Sequence, residues 1–303
     1  MMATQLKLCV LGGDRRQLAM VQRLSELGYE VFVWGLGACH LEVGNARVCT
    51  DWEEAVRESY AVILPLPAST DGVLVNCPME SNGTFLRLSS LLERMDSQIL
   101  LGGRIGDVLA VQVEQKGIRV VDYFQSELLQ LKNALPTAEG AISIAMKELP
   151  ITIDGLTCAV IGYGRIGMLL AQKLQALGAK VTVYARRREV RALAELYRHH
   201  TKALSESDGY ADLKQLPCGC RAVFNTVPAW IMTREVLATV PKNCVLIDLA
   251  SAPGGIDLAA AHELGLRTVW GTALPGKCTP ESAGIILAQT VEELLMELSD
   301  PCN

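Results

Sequence analysis

The stretch Thr157-Cys158-Ala159-Val160-Ile161-Gly162-Tyr163-Gly164-Arg165-Ile166-Gly167 decides the fold of this chain. Small and apolar residues suited to a buried strand run straight into Gly-x-Gly-x-x-Gly, and Met168 to Leu177 follows with the spacing of an amphipathic helix. Strand, glycine turn and helix in that order are what a dinucleotide site requires. Gly162 permits the tight turn, Gly164 lets the backbone approach a pyrophosphate, and Gly167 allows the helix to lie close to its strand. The N–H groups that open the helix, with the positive end of its dipole, then face the phosphates. A second strand, Lys180 to Tyr184, arrives at the distance expected of a strand–helix–strand unit.

After that second strand the chain reads Ala185-Arg186-Arg187-Arg188. A site built for NAD usually places Asp or Glu there to accept from the ribose hydroxyls. With no carboxylate to repel a phosphate, and with planar guanidinium groups able to grip one bidentately, the corner favours NADP(H) over a merely solvated basic helix start. Two further strands, Arg221 to Asn225 and Cys244 to Asp248, end in Asn225-Thr226-Val227-Pro228 and Leu249-Ala250-Ser251. In a parallel sheet these endings share the edge of the glycine motif. Asn225, Thr226, Val227, Pro228, Leu249 and Ala250 therefore join Gly162, Tyr163, Gly164, Arg165, Ile166, Gly167, Ala185, Arg186 and Arg187 as candidate cofactor contacts. Asp248 either accepts a proton or caps the next loop. Ser251 either reaches the substrate or bonds its own loop. Lys277, behind a Pro275-Gly276 turn, is a candidate to meet a carboxylate or donate a proton, against the alternative of a solvated loop lysine.

The first half repeats the alternation. Lys7 to Leu11 is a short buried strand leading into Gly12-Gly13-Asp14-Arg15-Arg16, a helix through Leu27, and a strand from Glu30 to Trp34. Its third glycine is missing and charged residues fill the turn, so Asp14, Arg15 and Arg16 are candidates to bind a small anion. Tyr60 to Leu64 is another strand, and Gln98 to Leu101 opens onto Gly102-Gly103-Arg104, adding Arg104 to that group. Helices are expected over Thr84 to Arg94, Ile105 to Lys116 and Glu189 to Tyr197. Ser126 to Leu149 reads as a connecting helix interrupted at Pro136, with Thr137 as the cap of its second part. A final amphipathic helix runs to Leu298, long enough to pack back on the first domain and close a cleft. The expected class is α/β, with two doubly wound parallel-sheet domains. Residues 1–130, completed by 279–300, form a flavodoxin-like substrate domain; 131–150 connect; 151–278 form a Rossmann NADP-binding domain.

Bulk properties fit this reading. At 303 residues the chain is long enough for two cores, 50% of it is apolar, and a net charge of −5 gives no basic excess for nucleic acid. No apolar run is long enough to span a bilayer, and the N-terminus enters a strand with no room for a signal peptide. Four of the ten cysteines, Cys9, Cys49, Cys158 and Cys244, sit in or beside strand-like runs, and Cys218-Gly219-Cys220 lacks zinc spacing. His40, His199, His200 and His262 form no ligand pair, so no metal and a reducing, cytoplasmic compartment are expected.

Taken together, Gly12-Gly13-Asp14-Arg15, Pro136-Thr137-Ala138-Glu139-Gly140-Ala141, the glycine run from Gly162 to Gly167, and Leu274-Pro275-Gly276-Lys277 resemble the A-subunit family of dipicolinate synthase over essentially the whole chain. The glycine run is generic to dehydrogenases; its combination with the other three is not. The resemblance implies a sporulation enzyme of the mother-cell cytoplasm, on a branch of the lysine pathway. With the flavoprotein-like B subunit of dipicolinate synthase it would oxidise dihydrodipicolinate, or its 4-hydroxy-tetrahydro precursor, to dipicolinate with NADP as hydride acceptor. It also implies an architecture like that of formate/glycerate and alanine dehydrogenases. Arg15, Arg16 and Arg104 then suit a small dicarboxylate, and a homo-oligomer is possible. Two other classes fit the motifs: an amino-acid or 2-hydroxy-acid dehydrogenase, and a non-catalytic NADPH-binding regulatory subunit.

Overall fold

A computed structural model of the chain describes residues 6–37, 45–80, 83 and 85–299. His40 and Thr84 lie outside the described residues. The chain divides into two compact units, residues 1–132 with 279–303, and residues 133–278.

The first unit holds β1 (Lys7–Leu11), α1 (Arg15–Glu26), β2 (Glu30–Trp34), β3 (Ala46–Val48), α2 (Trp52–Glu58), β4 (Ala61–Ile63), α3 (Leu88–Arg94), β5 (Ile99–Gly102), α4 (Asp107–Lys116) and β6 (Val120–Asp122). The helix α5 (Glu127–Glu148) carries the boundary between the units. In the second unit lie β7 (Thr157–Ile161), α6 (Arg165–Ala176), β8 (Lys180–Ala185), α7 (Arg188–Leu196), β9 (His200–Ala203), β10 (Ala222–Asn225), α8 (Arg234–Leu237), β11 (Val245–Asp248), α9 (Leu258–Glu263), β12 (Arg267–Trp270) and α10 (Leu274–Cys278). α11 (Pro280–Ser299) returns to the first unit.

Each unit contains one six-stranded sheet, ordered β3-β2-β1-β4-β5-β6 and β12-β11-β10-β7-β8-β9, and every neighbouring pair is parallel. The two orders are the same doubly wound arrangement, with reversal points between β1 and β4 and between β7 and β10. The inner strands, such as β1, β4, β5 and β7, are mainly apolar and buried because both faces are covered, whereas the edge strands β3, β9 and β12 carry exposed polar residues. Leu8 and Val10 enter one core while Cys9 and Leu11 enter the opposite one; Cys158 and Val160 are likewise divided from Ala159 and Ile161. Burial pushes the Cys158 thiol up to about 12, so it packs as a neutral apolar group.

α11 belongs to the first core through Leu287, Val291 and Leu295, all buried. Each such side chain contributes about 1.5–3 kcal/mol when removed from water. The helix lies so close to α1 that a Cβ on Gly284 would run into the Arg16 carbonyl oxygen and the Ala19 side chain.

Three local expectations are corrected. α5 is not interrupted at Pro136. Thr137 is no cap either: it lies inside the helix and donates its hydroxyl to the Asn133 carbonyl four residues back, at 2.8 Å. The Pro275-Gly276 segment is a turn of helix, and α11 starts at Pro280, the first helical position that proline favours.

Candidate dinucleotide-binding site

β7 delivers the chain to Gly162, whose φ of 92° only glycine adopts freely. A Cβ there would strike the Thr226 side chain, and one on Gly167 would strike the Gly162 carbonyl oxygen. A Cβ on Gly164 would meet nothing within 4 Å. Gly164 also caps α6 with no side-chain bond, so the first turn of that helix keeps its N–H groups for an incoming anion. One glycine thus makes the turn, one seats the helix, and the third leaves open backbone. These are the three features a pyrophosphate cradle needs.

A cavity of about 400 Å³ stands in front of this loop, lined by Gly162, Tyr163, Gly164, Ala185, Arg186, Arg187 and the run Thr226 to Pro228. Arg191 Nη1 donates to the Ala185 and Arg186 carbonyls, both at 2.9 Å, and so fixes the turn after β8. The Arg186 and Arg187 guanidinium groups are exposed and bond no described residue, which leaves their donors for a ligand.

Other candidates support the cavity without lining it. Asn225 is fully buried, donates to Val227 O (3.0 Å) and Asp248 Oδ1 (2.8 Å), and accepts from Val227 N–H (3.1 Å). Its amide holds the Thr226–Val227 wall. Gly167 and Ile166 seat α6 against the sheet, and Arg165 opens that helix. Leu249 and Ala250 are buried behind β11.

Asp248, buried at the end of β11, accepts on Oδ1 from Asn225 Nδ2 and Ala250 N–H, and on Oδ2 from Gly255 and Ile256 N–H, at 2.8–3.2 Å. Both oxygens are spent on the chain, so the loop-capping role is the one its geometry favours over proton acceptance. Ser251 and Lys277 are exposed, Lys277 in the last turn of α10.

In the first unit the turn after β1 is more structural than its charges suggested. Asp14 caps α1, accepting from Arg16 N–H at 2.9 Å while Gln17 Oε1 accepts from Asp14 N–H at 2.9 Å. Arg16 is buried, paired bidentately with Asp14, and donates to the Leu66 carbonyl of the loop after β4. Asp14 and Arg16 therefore lock two strand-end loops together, with Arg16 Nε and Nη2 engaged inside the unit. Arg15 is exposed and bonds no described residue. Arg104 follows β5 in the left-handed region (φ 54°), with its N–H held by Asp122 Oδ1 at 3.0 Å and its guanidinium 5.3 Å from the Phe124 ring centre. Arg15 and Arg104 remain the cations presented at this sheet's carboxyl edge.

Residues 7–124 match the family model of the N-terminal domain of the dipicolinate synthase A subunit, and residues 130–254 match the NAD-binding domain of D-isomer specific 2-hydroxyacid dehydrogenases. The dipicolinate synthase A subunit of Bacillus subtilis (strain 168) is 30% identical over 300 residues, covering 98% of both chains. The chain belongs to the dipicolinate synthase A-subunit family. A crystal structure of the family member from Bacillus halodurans superposes with a TM-score of 0.87 at 28% identity, covering 99% of this chain and 100% of the other. An L-alanine dehydrogenase structure, 14% identical, shares the fold with a TM-score of 0.65 over 96% of this chain and 90% of its own.

The second unit of this dipicolinate synthase relative is thus a nicotinamide-dinucleotide domain of the dehydrogenase type, and the chain is an oxidoreductase. Sequence reasoning missed one wall of its cavity. Leu204, Glu206 and Tyr210, from the loop behind β9, line it with Arg186 and Arg187. The reading that no carboxylate stands near the arginines is corrected: Glu206 does. β9 itself escaped because His199-His200-Thr201-Lys202 has no apolar run; as an edge strand it needs none on its outer side. Among the described residues no cluster of His, Cys, Asp and Glu is arranged to hold a metal, and no helix is long and apolar enough to cross a membrane.

Proposed function

We propose that this chain performs the NADP-linked oxidation of dihydrodipicolinate to dipicolinate, together with the flavoprotein-like B subunit of dipicolinate synthase, in the mother-cell cytoplasm of a spore-former. The observation that carries the cofactor choice is the pair of unbonded guanidinium groups, Arg186 and Arg187, in the wall of the glycine-loop cavity. Bound NADP supplies the hydride acceptor. The chain's own residues then bind and orient: the α6 N-terminus takes the pyrophosphate, Arg186 and Arg187 take the 2′-phosphate, and Asn225 with Asp248 hold the walls in place.

Arg15 and Arg104 suit the two carboxylates of the substrate, and Lys277 and Ser251 are the further polar groups we assign to it. Aromatising a dihydropyridine needs one hydride and one proton removed, and the product ring is strongly favoured, so orientation and charge binding suffice for much of the catalysis. The 4-hydroxy-tetrahydro precursor has the same two carboxylates and fits the same reading. A 2-hydroxy-acid dehydrogenase would need an acid–base group poised over the hydroxyl. Of the described histidines, His199 is buried, His200 begins β9 and His262 is exposed on α9, and none lines the cavity.

The test is purified chain, alone and with the B subunit, given enzymatically generated dihydrodipicolinate and NADP. Dipicolinate absorbance rising in step with NADPH is the expected result. Tight NADPH binding with no turnover in either mixture overturns the catalytic reading in favour of a regulatory role.

A further inference from the structure

The first residues of three neighbouring strands, Thr157 of β7, Lys180 of β8 and His200 of β9, open onto a second cavity of about 420 Å³. It lies at the amino edge of the second sheet, opposite the glycine loop. Arg198 and His199, which lead into β9, complete its charged lining, and no Asp or Glu lines it. Neither the Lys180 nor the Arg198 side chain has an ion-pair or hydrogen-bond partner among the described residues, whereas Lys173 and Lys214 of the same unit are paired with Glu139 and Glu235. Thr157 and Thr182 line the same space, and their hydroxyls bond no described residue.

The floor is stronger evidence. His199 is 5% exposed, and both of its ring nitrogens are buried without any protein partner. Its ring meets that of Tyr163 at 70°, with centres 5.9 Å apart. Unpaired buried imidazole nitrogens are costly, and His199 is among the residues that line this cavity. Burial also holds the imidazole below its ordinary pKa, which favours the neutral form with one donor and one acceptor.

We propose that this amino-edge cavity binds a small phosphate-bearing anion, with Lys180 and Arg198 as its ionic partners and His199 as the hydrogen-bonding floor. Two unpaired cations beside free hydroxyls, with no competing carboxylate, match a multiply charged oxyanion with several acceptor atoms, and the volume admits a small phosphate ester. The two cavities share no lining residue, although His199 packs against Tyr163 of the dinucleotide cavity, and the site does not rest on the reaction assigned there.

The test follows imidazole nitrogen resonances of the full chain by NMR. Arg186→Ala/Arg187→Ala serves as background so that phosphate in the other cavity does not contribute. Inorganic phosphate, ribose 5-phosphate, citrate and sodium chloride at matched ionic strength are titrated separately. The expected result is a saturable shift of the His199 and His200 signals with both phosphates, half-complete below about 1 mM. Adding Lys180→Ala/Arg198→Ala should weaken it at least tenfold. Both side chains are exposed, and a matching amide fingerprint checks that the fold is kept. Shifts that follow ionic strength alone, saturation by citrate alone, or binding unchanged by the Lys180/Arg198 pair each overturn the proposal.

Discussion

Arg186→Ala together with Arg187→Ala should convert a preference for NADPH into near indifference. In the free protein these guanidinium groups bond no described residue, so truncation removes no internal contact and leaves the turn pinned by Arg191. A hydrogen bond to a charged group contributes about 1.5–3 kcal/mol, and exposure puts each arginine here near the lower end. The pair then supplies about 2–3 kcal/mol toward a 2′-phosphate, or about 30- to 150-fold in dissociation constant. NADH carries no such phosphate and should change by less than about twofold. Fluorescence titration of both reduced cofactors at fixed ionic strength reads the two numbers directly. Raising salt from 0.15 to 1 M shortens the Debye length from about 8 to about 3 Å and should erode the wild-type preference but not that of the double variant. Equal losses for NADPH and NADH, or a loss of NADPH below about threefold, would refute the phosphate clamp.

Glu206→Gln, which removes the carboxylate from the same cavity, should tighten NADPH by about two- to fivefold and leave NADH alone, checked by the same titration. Asp248→Asn presents an amide to a ring of N–H donors; it should cost about 2–4 kcal/mol in urea unfolding and weaken NADPH and NADH alike, unlike the arginine variants. Gly284→Val forces a branched side chain into the α1 backbone and should lower stability by about 1–3 kcal/mol, seen as a thermal midpoint several degrees lower. Arg104→Ala should raise the apparent KM for dihydrodipicolinate by about tenfold while NADPH affinity holds, measured in the coupled assay.

The Rossmann half was legible because its signal is local. Gly162, Gly164 and Gly167 each answer a distinct backbone demand within six residues, and the apolar runs on either side need no long-range partner to be recognised. Arg186 and Arg187 were legible by position, one strand on. What stayed hidden was decided by contacts distant in sequence. Arg16 reads as a free cation until Asp14 and the Leu66 carbonyl, fifty residues away, are seen to hold it. Glu206 belongs to a loop behind a polar edge strand, so neither its strand nor its orientation is written in a pattern. Pro136 signals a break, yet it sits in a helix whose neighbouring turns are packed: Ala138 and Ala141 are fully buried, and tertiary burial overrides the local penalty.

The return of α11 to the first core also governs the order in which the protein is completed. Residues 133–278 are contiguous and have their sheet and both its faces in hand as soon as they are made. The first sheet, though synthesised earlier, must keep the surface of Leu8, Val10 and Met20 waiting for Leu287, Val291 and Leu295. On the ribosome, therefore, the half that starts first finishes last, and its uncovered α1 face is the patch a holding chaperone would be expected to shield in the meantime.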